Sequence, residues 1–104
     1  MILVTTNDVA GREITEVLGL VRGSTIRARH IGRDILARMR GIVGGEVSEY
    51  TKLMGESREQ ALDRLVQEAR ELGADAVVGL RFTTSEVMDS AAEILVYGTA
   101  VKLR

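Results

Sequence analysis

The chain holds a single histidine, His30, the one side chain whose unperturbed titration range spans neutrality. It is the first place to look for a general base or a metal ligand, although a histidine near a helix start more often makes structural hydrogen bonds. Around it runs a series of guanidinium groups, Arg22, Arg27, Arg29, Arg33, Arg38 and Arg40, with Asp34 the one acid among them. Such a run can take a phosphate or a nucleic-acid backbone through charge-assisted hydrogen bonds. From Glu46 to Asp75 the sign reverses, with eight acids against Lys52, Arg58, Arg64 and Arg70. Attraction between these oppositely charged halves, within or between chains, is the more ordinary use of such a pattern. Glu46, Glu49 and Asp75 flank expected turns, and carboxylates repeated around a symmetric assembly can hold a hard divalent cation. The ligand-binding candidates are therefore His30, Arg27, Arg29, Glu46 and Glu49, and no residue is assigned a catalytic role.

Several chemistries are absent. No cysteine occurs, which removes disulfides, thiolate metal sites, iron–sulfur clusters and a cysteine nucleophile. Gly19, Gly23 and Gly32 are too widely spaced for a dinucleotide fingerprint, and no Gly-Lys-Ser/Thr appears. Ser24 and Thr25 lie near His30 in sequence but lack a third orienting group. Phe82, Tyr50 and Tyr97 are the only aromatic residues, and the net charge is −1, which argues against nucleic acid as a partner. Charged residues interrupt every apolar stretch before it reaches the ~20 residues of a membrane span. The first residues lack the features of a signal peptide, so the expected location is the cytoplasm.

These groups must be positioned by one domain, residues 1–104, since no linker divides the chain. Ile2 to Thr5 is a short β-branched run followed by the turn pair Asn7-Asp8. Ile14 to Ala28 predicts a long, bent strand punctuated by Gly19 and Gly23, as glycines do at bulges and close backbone approaches. Ile31, Ile35, Met39 and Ile42 recur at near-helical spacing, predicting a helix from His30 to Val43 stopped by Gly44-Gly45. A second helix is expected to open at Ser57-Arg58-Glu59-Gln60, a capping-box pattern, and to end at Gly73. Glu46 to Met54 is open as a helical continuation before it, with Gly55 interrupting the pattern. Ala76 to Thr84 and Glu93 to Leu103 are strands, joined by a hairpin loop over Met88 to Ala91.

The fold class is therefore α+β: about four mainly antiparallel strands with two helices. In the last strand one face reads Ile94, Val96, Gly98, Ala100 and the other Leu95, Tyr97, Thr99, Val101, Leu103. Both want to be dry, yet the residues suffice for only one helical layer. A second subunit covering the other face is expected.

The segments Val21–Asp34, Gly44-Gly45-Glu46, Tyr50-Thr51, Leu72–Phe82 and Tyr97–Val101 together resemble the YbjQ-like family over essentially the whole chain. The resemblance implies a dodecin-subunit-like fold that assembles as a ring-shaped homopentamer in the prokaryotic cytoplasm. The family carries the label of heavy-metal binding, which leaves the cofactor unknown, a divalent metal being one candidate, and the resemblance brings no established reaction and no agreed ligand set. One histidine and no cysteine make a poor soft-metal site within one subunit. The expected function is a non-enzymatic, pentameric binding module with its site at subunit seams or in the pore. The alternatives are an enzyme of unknown class with His30 at an interface, and an anion- or nucleic-acid-binding ring using Arg22 to Arg40.

Overall fold

The computed structural model describes residues 1–28, 48–88 and 91–104. Four strands form one sheet: β1 (Ile2–Leu3), β2 (Ile14–Ala28), β3 (Ala76–Met88) and β4 (Ala91–Leu103), in the order β1-β3-β4-β2. The short β1 runs parallel to β3, and the other pairings are antiparallel. Beyond β1 the chain stays beside β3, with Leu80 N–H donating to Val4 C=O at 3.0 Å and Gly79 N–H to Thr6 C=O at 2.8 Å. Strand β2 has the expected bounds, and its register shifts between Val17 and Gly19, where Gly19 takes φ +124°. The β3 register shifts between Val78 and Arg81, at Gly79 with φ +63°. Bulges of this kind turn the strand and re-aim the residues beyond them.

One helix, α1 (Ser48–Glu71), lies among the described residues. The expected helix from His30 to Val43 falls on residues 29–47, outside them, so the expectation of two helices meets one. Helix α1 corrects the expected start at Ser57: it begins at Ser48 and passes through Gly55 without a break. Ser57 is 0% exposed and donates to the Leu53 carbonyl at 2.9 Å, the back-bond of a mid-helix serine rather than a cap. Ser57, Ala61, Leu65 and Ala69, each one turn after the last, are all fully buried and form the ridge that meets the sheet. The end is as expected. Gly73 adopts φ +74°, its N–H bonds to Arg70 C=O at 2.9 Å, and Ala74 N–H bonds to Ala69 C=O at 3.0 Å, which is a Schellman stop.

The helix covers β2 and β4. A Cβ on Gly23 would stand 2.6 Å from the Leu65 amide nitrogen and nearer still to the Ala61 carbonyl oxygen, so helix backbone rests directly on strand backbone. Val21, Leu65, Val77, Ile94 and Val96 fill this interface. On the opposite face Val4 and Val9 from the N-terminal segment pack with Ala76, Val78 and Val101 in a second, smaller cluster. That segment reaches only one end of the sheet. The radius of gyration is 17.1 Å, against about 13 Å for a compact chain of this length.

Candidate functional site

Alternation along β2 puts Arg27 on the helix side, after the buried Val21, Gly23 and Thr25. Its Nε donates to Ser57 Oγ at 2.9 Å and its Nη2 to Gln60 Oε1 at 2.7 Å. Thr25 Oγ1 donates to the Ser57 carbonyl at 3.2 Å, and Arg64 Nη1 donates to the Ser24 carbonyl from one turn further along the helix. Ser57 and Gln60, which read in sequence as a capping pair, are instead a fork that grips Arg27 from three residues apart on one helix face. No buried side-chain nitrogen or oxygen among the described residues is left without a partner.

Beside this seam lies an open groove of about 600 Å³, into which Arg27, Lys52, Glu56, Arg58, Glu59 and Asp63 project. Three cations and three carboxylates line it. The opposing signs offset each other, so the groove presents no concentrated field for a phosphate or a metal ion. Among the described residues no three of His, Cys, Asp and Glu come together in a way that could hold a metal.

Of the five ligand candidates, Arg27 is the one whose side chain is described, and it is held by protein partners. His30, Arg29 and Glu46 lie outside the described residues. Glu49 belongs to the first turn of α1, with its side chain outside the described set. Asp75 Oδ2 accepts the Leu103 N–H at 2.9 Å and so ties the start of β3 to the end of β4.

A second constellation lies on the sheet face away from the helix. Tyr97, on the inner strand β4, stands directly opposite Arg22 on β2 and Arg81 on β3. Paired positions share a face, so the three side chains form one cross-strand row. Tyr97 is 39% exposed, and on the same face of β2 Val17, Leu20 and Ile26 are 66%, 62% and 62% exposed. Arg81 Nη1 donates to the carbonyls of Thr5 and Leu80, both at 2.8 Å. Sequence reasoning missed this row because its members come from three separate segments; only the β3 bulge sets Arg81, rather than a neighbour, against Tyr97.

A family model described as "Putative heavy-metal-binding" matches residues 1–104. The chain is 57% identical over 103 residues to a "UPF0145 protein" of Methanosarcina acetivorans, covering 99% of this chain and 97% of that one. It is 59% identical over 104 residues to a protein of the same name from Fervidobacterium nodosum, covering 100% and 96%. In structure it is similar to a crystal structure of a protein with unknown function of the DUF74 family from Pediococcus pentosaceus. That match has a TM-score of 0.70 at 19% identity and covers 100% of this chain and 98% of the other, which establishes a shared fold.

Proposed function

This chain belongs to the YbjQ-like family, and from that membership and its open sheet face we propose that it is a non-enzymatic, cytoplasmic binding module built as a homo-oligomer, a pentameric ring. The supporting observation is the apolar side of β2. Val17, Leu20 and Ile26 stand between 62% and 66% exposed on one face of an edge strand, where a monomer would keep them wet. A neighbouring subunit seated there removes them from water.

The ligand site lies at the seam or in the pore, where one residue per chain becomes several. His30, Arg29, Glu46 and Glu49 are the residues assigned to it; Arg27, also a sequence candidate, lies on the helix side of the sheet with its guanidinium on Ser57 and Gln60. The donor set of one subunit does not fit a soft heavy metal, since it holds one imidazole and no thiolate. A small ligand, or a hard divalent cation bound by oxygen atoms of several subunits, is the reading kept. Native mass spectrometry of the untagged protein tests both halves at once. A five-subunit mass carrying extra bound mass is expected, whereas a bare monomer at micromolar concentration would sink the assembly and the seam together.

A further inference from the structure

We propose that the Arg22–Tyr97–Arg81 row binds a nucleoside phosphate, with the base stacked on the Tyr97 ring and the phosphate held between the two guanidinium groups. The proposal goes beyond the reading above and uses other residues; it rests on that reading only in that Arg22 lies between Leu20 and Ile26 on the face assigned to a neighbouring subunit, so that the ligand sits within that seam. All three residues come from one subunit.

The geometry is that of a stacking platform. A helix covers one face of the sheet, and the other face presents an aromatic ring on an inner strand, 39% exposed. Flat bases are taken up in this way by sheets of other folds, since every base offers a π-face and an aromatic ring on an inner strand meets it with little rotamer loss. The two arginines flank the ring from the adjacent strands, so their Cα atoms stand roughly 10 Å apart across it, within reach of one shared oxyanion.

Among the described residues nothing compensates the charges on this row. Among the described residues neither Arg22 nor Arg81 has a carboxylate within ion-pair distance, and Arg22 has no hydrogen-bond partner. Glu93, the acid of β4 on this face, stands opposite Ile26 and Ser85, two rows away from Tyr97. Arg81 is held in place by the carbonyls of Thr5 and Leu80, which use Nη1 and leave Nε and Nη2 to point elsewhere. One row on, Ser24 and Thr83 stand opposite Leu95 and add hydroxyls beside the ring, where a ribose or a base edge would lie. Two like charges set on either side of an aromatic ring, with no acid beside them among the described residues, suit an anion that also carries a flat ring.

The test uses the intact protein in its native assembly. Uridine monophosphate is titrated by calorimetry, and a fluorescein-labelled ten-residue oligouridylate by anisotropy, each at 50 mM and 500 mM KCl, with tripolyphosphate as the charge-only probe. Binding at 50 mM KCl that weakens at high salt is expected. Tyr97→Leu should weaken it about tenfold, Tyr97→Phe should leave it within about twofold, and Arg22→Gln should flatten the salt dependence. Binding of the mononucleotide assigns a free nucleotide as the ligand; binding of the oligomer alone assigns a single strand. No binding of either probe at 50 mM KCl would overturn the proposal, as would binding that Tyr97→Leu leaves unchanged or that tripolyphosphate matches. Circular dichroism melting of each variant guards against loss of fold. A monomeric native mass alongside Tyr97-dependent binding would remove the ring and leave this site standing.

Discussion

The two faces of this sheet are finished to different standards. Toward the helix, Val21, Ala61, Leu65, Ala69 and Val96 are 0% exposed, and the approach is close enough that Gly23 has no room for a methyl group. Away from it, the N-terminal segment seals one end and Leu20, Ile26 and Tyr97 stand open at the other. This second face is left in the condition of a surface that meets something else.

That contrast can be broken from the closed side first. Gly23→Val should destabilise the fold by about 3 kcal/mol or more, because the helix backbone itself must move. Urea unfolding reads this directly, and a loss under about 0.5 kcal/mol would mean that helix and strand are not in backbone contact. Leu65→Ala should cost about 3 kcal/mol by leaving a cavity between α1 and the sheet. Next comes the polar seam: Ser57→Ala removes an acceptor from Arg27 and should cost about 1 kcal/mol.

The open face should respond in the opposite sense. Leu20→Ser with Ile26→Thr should move the unfolding free energy of a subunit by no more than about 0.5 kcal/mol. The same pair should lower the native mass if these side chains lie in a seam; an unchanged mass would place the interface elsewhere. Smallest of all is Glu13→Gln, which breaks the 3.2 Å pair with Arg104 between side chains 67% and 77% exposed. It should change stability by less than about 0.5 kcal/mol.

What could be read from the sequence divides along the same line. The bounds of β2, the bend at Gly19, the stop at Gly73 and the ridge of Ala61, Leu65 and Ala69 all rest on local periodicity or backbone permissiveness, and each was legible. Ser57 was not. A serine three residues before a glutamine suits a cap and equally suits a buried fork, and only the arrival of Arg27 from a strand thirty residues earlier decides between them. The Tyr97 row was hidden for a related reason. Alternation reveals which residues share a face of one strand, but the neighbours across strands depend on register, and the bulge at Gly79 resets that register midway along β3. Of the residues nominated for binding, one could be followed into its surroundings, and it turned out to latch the helix to the sheet.

The order of the strands also bears on how the chain is made. Strand β2 pairs with β4 alone among the described strands, Ile14 with Leu103 at one end and Ala28 with Ala91 at the other. Fifteen residues rich in valine, leucine and isoleucine therefore leave the ribosome long before the segment that completes them. At roughly 5 to 20 residues per second, β2 waits several seconds for its partner. During that interval α1 is the first of the described elements that packs on it, and Gly23, by admitting the helix backbone, lets α1 shield the nascent strand until the C-terminus arrives.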